Sequence, residues 1–228
     1  MFGGLTGGFG FTVTSFAKFD SGGPMRRIPL SRRSHVTGFQ PVPTGTAEHE
    51  SALERDFVTL TAFADPAATI TSQPVTIRFD DGGKLRRYTP DFLVRWSDGR
   101  SDLVEVKYRA DLRAFWAQLR PGFAAARAWT REHKTSFHIA TERGIRVPRL
   151  ENAKRLIPLR RAALDPVAAD RMLRVARALS APTFGRIVEA MDCDRAIALA
   201  TMWRLIARGS LSVDLNAPIR LDTPVTAP

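Results

Sequence analysis

At 228 residues, with 44% hydrophobic and 25% charged residues, the chain has the composition of a globular protein with one sizeable domain and room for a smaller one. No apolar run approaches the ~20 residues that span a bilayer, and the lone cysteine, Cys193, excludes an intramolecular disulfide and a cysteine-based zinc site. The net charge of +11 surrounds the protein with a field that attracts polyanions, so nucleic acid is the expected partner and a membrane is not.

Residues 1–47 are rich in glycine and proline, lack hydrophobic periodicity and carry two arginine pairs, Arg26-Arg27 and Arg32-Arg33. They read as an extended or partly disordered basic arm. With neither an early basic region nor a cleavage site, the arm is not expected to be a signal peptide, and a single cysteine suits a reducing cytoplasm. From 48 to 64, Leu53, Phe57, Leu60 and Phe63 recur at spacings of three and four, which predicts an amphipathic helix ended by Pro66.

The β-branched run at 69–79 predicts a strand, and Asp-Asp-Gly-Gly at 80–83 a hairpin turn. Strands follow at 85–96 and 101–108, joined by a Ser-Asp-Gly-Arg turn at 97–100. A helical stretch over 110–133 is expected to break near Pro121-Gly122, because proline is poorly tolerated inside a helix. A short strand at 135–141 completes an αβββαβ order, a mixed sheet flanked by helices.

Residues 148–161 read as a linking segment with some helical character. Beyond them helices are expected at 167–180, 183–191 and 194–208, the last stopped by Gly209. Two strand-like stretches at 211–215 and 219–221, parted by Asn216-Ala217-Pro218, suggest a β-wing, and hence a winged-helix-like α+β domain over 162–228.

The chemistry concentrates on two of the strands. Tyr-Thr-Pro-Asp-Phe-Leu-Val (88–94) places Asp91 on one, and Leu-Val-Glu-Val-Lys-Tyr (103–108) places Glu105 and Lys107 on the next. Alternation puts Glu105 and Lys107 on one face of an otherwise apolar strand, where an isolated charge is costly. The turn at 97–100 brings Asp91 beside them. Two carboxylates can hold a hard divalent cation, and a neighbouring ammonium can orient water or offset charge. With no cysteine cluster and only four scattered histidines, the plausible ligands are carboxylates, and the plausible cation is Mg2+, with Mn2+ as substitute.

The set Pro90-Asp91, Glu105-Val106-Lys107 resembles the PD-(D/E)xK nuclease superfamily, which adopts a restriction-endonuclease-like α/β fold. More narrowly, the chain is similar to TnsA, the endonuclease subunit of heteromeric cut-and-paste transposases. The likeness runs through Glu50–Phe57, Gln73-Pro74, residues 88–94 and 104–107, and the stretch around 141–152. It spans the nuclease domain expected at 48–161, and it implies roles by position. Asp91 and Glu105, with the backbone carbonyl of Val106, would hold the metal, and Lys107 would position the attacking water. Glu54 on the first helix would complete the site, either as a second metal's ligand or through water, with Glu50, one turn earlier, as its rival. Gln73 would touch the scissile phosphate or support the site. The ordinary alternatives are a solvated helix acid for either glutamate and a strand-capping role for Gln73.

The resemblance further implies cleavage of the 5′ ends of a transposon in double-stranded DNA, at the nucleoid of a bacterial cytoplasm. An integrase-type transposase subunit would cut and join the 3′ ends, and an AAA+ ATPase would regulate both. Two other readings remain: a stand-alone restriction or repair nuclease, and a catalytically silent DNA-binding scaffold.

Overall fold

The computed structural model describes residues 38–227. It contains two compact units, one ending at Ile145 and the other beginning at Arg146. Most of the expected basic arm lies outside the described residues. Its end, 38–47, is not an extended arm: β1 (Gly38–Val42) pairs antiparallel with β2 (Gly45–His49) in a hairpin.

Helix α1 (Ala52–Ala64) starts at Ser51, whose hydroxyl accepts the Glu54 N–H. The helix ends where Asp65 Oδ1 accepts from the Ala67 N–H and Oδ2 from the Ser97 N–H, tying the helix end to a later turn. The strand expected at 69–79 is two strands. β3 (Thr69–Ser72) stops at Gln73, whose φ of 44° turns the chain, and Pro74, which has no N–H for a ladder. β4 (Ile77–Asp80) then pairs antiparallel with β5 (Leu85–Tyr88) in a separate hairpin. The strand expected at 85–96 breaks in the same way at Thr89-Pro90-Asp91, before β6 (Phe92–Arg95). The two breaks lie side by side, since the Gln73 N–H donates to the Asp91 carbonyl at 2.8 Å.

β7 (Ser101–Val106) returns antiparallel to β6 through the turn at Gly99, where φ is 89°. Helix α2 (Arg109–Ala114) bends at Phe115 into α3 (Trp116–Glu132), and the chain re-enters the sheet as β8 (Ser136–Ala140), parallel to β7. The helical break thus falls at Phe115, and Pro121 lies inside α3. The main sheet runs β3-β6-β7-β8, so the αβββαβ order holds with the β4–β5 hairpin inserted into it. One face packs Phe92, Val94, Val104 and Val106 with Leu53 and Val58 of α1. The other packs Leu93 and Leu103 with Ala125, Ala126 and Trp129 of α3 and with Ile77 and Phe79 of β4. A short helix, α4 (Glu142–Ile145), ends this unit.

The second unit begins earlier than the expected boundary at 162, because the segment expected as a link forms α5 (Pro148–Leu156). It continues through a 3-10 turn to α6 (Pro166–Ala178), α7 (Phe184–Glu189) and α8 (Arg195–Ala207). Met172, Ile187, Met202 and Leu205 are fully buried among them. The expected β-wing does not form: 211–215 and 219–221 contain no strand. Pro218 cannot donate to a ladder, and the carbonyls of Leu215 and Ala217 are taken by the Asn152 side-chain amide, each at 2.9 Å. Residues 221–226 instead run past the start of α7 through isolated bridges, Thr183 with Pro224 and Ser212 with Thr226. Asn152 is 4% exposed, so Asn152→Ala leaves two carbonyls without their donor. It is expected to destabilise this unit by about 1–3 kcal/mol in urea denaturation and to open 211–221 to limited proteolysis. Among the described residues no helix is long and apolar enough to cross a membrane.

Candidate active site

The break between β5 and β6 creates the site. Asp91 sits at that break, just before β6, and its Oδ2 accepts the Val106 N–H at 2.7 Å. This bond locks it to the end of β7, where the Lys107 N–H in turn donates to the Ala140 carbonyl of β8. Glu105 is 3% exposed, and its two oxygens face different partners. Lys107 Nζ lies 3.1 Å from Oε1, and the Tyr88 hydroxyl donates to Oε2 at 2.7 Å.

Tyr88 is itself tightly seated. A Cβ added at Gly122 of α3 would lie 2.8 Å from Tyr88 Cδ2, and the ring meets Phe123 edge-on at 5.9 Å. Helix α3 therefore has glycine at the point of closest approach to this tyrosine.

Electrostatics show two acids crowded around one cation. Burial pushes the Asp91 carboxyl well above its ordinary range, and the Glu105 charge adds to the rise. Lys107 opposes it, as does the bond from Val106. Burial alone would lower the Lys107 ammonium, but Asp91 and Glu105 hold it above its usual value. Burial raises the Tyr88 phenol too, reinforced by the Glu105 charge, so Tyr88 stays a neutral donor. Such a cluster gains from a further positive charge.

The donors are hard oxygens, two carboxylates and the Val106 peptide carbonyl, which fit Mg2+ or Mn2+. No three His, Cys, Asp or Glu side chains among the described residues stand close enough to hold a metal by themselves. A cation here would rest on the acid pair, the peptide carbonyl and water.

The outer positions are placed differently from the central three. Glu54 is near enough for its charge to act on Asp91 and Lys107. Its carboxylate, however, accepts from the Ser51 hydroxyl at 2.8 Å and the Glu50 N–H at 2.7 Å, a variant of the capping box. Burial still raises its carboxyl above the usual range. Glu50 is exposed, and its Oε1 accepts from Gln73 Nε2 at 2.8 Å. Glu50 and Gln73 thus occupy one another at the rim. Sequence reasoning missed Tyr88, although it stands in the quoted 88–94 motif. The sequence of β5, Leu-Arg-Arg-Tyr, carries no apolar alternation; its pairing with β4, which sets Tyr88 opposite the buried Ile77, turns the ring inward.

Residues 66–142 match the family model of the TnsA-like endonuclease N-terminal domain. The match includes Gln73, Asp91, Glu105, Val106 and Lys107. Glu50, Glu54 and the second unit fall outside it. A search of curated proteins finds no match to the chain. The segment is a TnsA-like endonuclease domain, of the PD-(D/E)xK type that its motifs resemble.

Proposed function

We propose that the chain is a metal-dependent DNA endonuclease subunit of a heteromeric transposase, hydrolysing one strand, the 5′ end, at each end of its element. The observation that supports this most is the meeting of Asp91, a buried Glu105 and Lys107 at one strand break inside the matched domain. Asp91 and Glu105, with the Val106 carbonyl, are assigned to hold Mg2+. When bound, the ion would polarise a phosphoryl oxygen and make water a stronger nucleophile.

The chain's own groups do the remaining work. Lys107 Nζ, held by Glu105 Oε1, orients the attacking water and offsets charge that builds on the phosphoryl oxygens. The Tyr88 hydroxyl and the Lys107 ammonium hold one Glu105 oxygen each, so the carboxylate has a single preferred orientation. Glu54, within electrostatic reach of the same groups, is assigned a supporting role through water. An integrase-type subunit and an AAA+ regulator are the proposed partners, and the second unit the proposed docking or DNA-binding surface. Not all its arginines are free for that task. Arg186 donates to the Ala181 carbonyl and Arg208 to the Ala162 carbonyl.

The test is strand-specific cleavage of duplex DNA carrying the element's ends, by the full chain with its partner subunits. Nicks on one strand per end in Mg2+ or Mn2+, and none in excess chelator, are expected. Cleavage that persists unchanged in chelator would overturn metal dependence. Cuts on both strands by the chain alone would favour a stand-alone nuclease.

A further inference from the structure

The β4–β5 hairpin carries an arrangement with no structural reward. Its register sets Arg78 directly opposite Arg87. Side chains of directly opposed residues share one face, with Cβ atoms about 5 Å apart, and like charges placed so are destabilising. Both arginines are exposed. Among the described residues neither guanidinium has a hydrogen-bond or ion-pair partner. Neither nearby acid pairs with them: Asp80 Oδ1 accepts the Gly83 N–H of the turn, and Asp81 pairs with Arg86 at 2.7 Å. Arg86 stands opposite Phe79, on the other face of the hairpin.

Beyond the arginine pair, the Thr76 and Thr89 hydroxyls meet at 2.9 Å. Two hydroxyls sharing one hydrogen bond leave one O–H to donate outward. Thr89 is two residues before Asp91. The hairpin therefore presents a row of donors, two guanidiniums and then a hydroxyl, leading toward the proposed cleavage site.

We infer that Arg78 and Arg87 form a clamp for backbone phosphates of duplex DNA beside the proposed cleavage site. Guanidinium forks match phosphate oxygens bidentately, and two phosphates would remove the repulsion that the free hairpin carries. Contacts of this kind are indifferent to base sequence and set the register of the duplex on the protein. The inference rests on the nuclease reading for its meaning, but its measurement does not depend on cleavage.

The experiment is binding of the full chain to a labelled duplex of about 30 base pairs in chelator, titrated with salt. Arg78→Gln/Arg87→Gln is expected to lose about tenfold or more in affinity near 0.1 M salt. The slope of log K against log salt should shrink by about 2, equally for unrelated sequences. Its thermal midpoint should equal or exceed that of the wild type, as relief of like charge requires. Arg86→Gln, whose partner lies on the other face, should bind as wild type does. Unchanged affinity and slope in the double variant would overturn the clamp. So would an equal loss in Arg86→Gln, which would indicate diffuse charge, or a loss confined to association with the partner subunits. A wild type that cuts while the double variant binds normally would sink the clamp alone. If the double variant loses binding but no metal-dependent cutting is found, the nuclease reading fails and the clamp stands.

Discussion

Asp91→Asn is expected to reduce cleavage by about 10²–10³-fold or more while leaving the metal-free protein at least as stable as the wild type. The amide is nearly isosteric and its oxygen can still accept the Val106 N–H, so the strand junction survives. What it lacks is a charge that the free fold resists. The sign follows from the raised carboxyl: the folded state holds the Asp91 proton more tightly than the unfolded chain does. As pH rises above the unfolded value, about 3.9, ionisation therefore costs the folded protein stability, up to the folded value. The stability advantage of Asp91→Asn should be present near neutral pH and vanish below about pH 4.

Lys107→Met should be comparably inactive with the opposite effect on stability. It keeps the aliphatic stem but deletes the ammonium that bonds Glu105, leaving that buried carboxylate, among the described residues, with the Tyr88 hydroxyl. Urea denaturation of both variants in chelator, beside single-turnover cleavage, separates the two cases. Equal cleavage by wild type and both variants would refute the site. Equal destabilisation of the two would refute the crowding of acids around one cation.

The elements most legible in the sequence were those governed by local pattern. The apolar spacing on α1, the turn at Gly99, and the alternation that pairs Glu105 with Lys107 all fold as their periodicity requires. So the central trio could be named from residue type and order alone. What could not be read depended on partners distant in the chain. Gln73-Pro74 and Thr89-Pro90 each look like a pause in one long strand. Only their adjacency, through the bond from Gln73 to Asp91, makes them the point where the hairpin leaves the sheet. Pro121-Gly122 reads locally as a break within the helical stretch. The helix continues, because tertiary packing outweighs the missing N–H, and the glycine serves Tyr88 instead. The β-wing failed for a related reason: the Asn152 side chain, some sixty residues away, took the carbonyl of Leu215, at the end of the first stretch expected as a strand, and that of Ala217, in the segment between the two.

Phe123→Ala is expected to lower the stability of the first unit by about 3–5 kcal/mol and to weaken catalysis through Tyr88. Phe123 is fully buried at 0% exposure. Three rings converge on it: Tyr88 at 5.9 Å, Phe137 at 5.8 Å and Trp116 at 6.1 Å. Truncation leaves a cavity among aromatic groups that cannot collapse far, because the backbone of α3 already approaches Tyr88 as closely as Gly122 permits. The urea midpoint should fall with little change in m. The catalytic consequence is isolated by Tyr88→Phe, which keeps the ring in its seat and removes only the hydroxyl that holds Glu105 Oε2. Loss of a group that orients a ligating carboxylate typically costs 10–100-fold in metal affinity or activity. Tyr88→Phe should therefore require about tenfold or more additional Mn2+ for half-maximal binding, read by titration without DNA, while its urea midpoint moves far less than that of Phe123→Ala. If Tyr88→Phe binds Mn2+ as the wild type does, the tyrosine is packing alone. If Phe123→Ala lowers stability but leaves Mn2+ binding intact, the aromatic cluster and the site are separate structures.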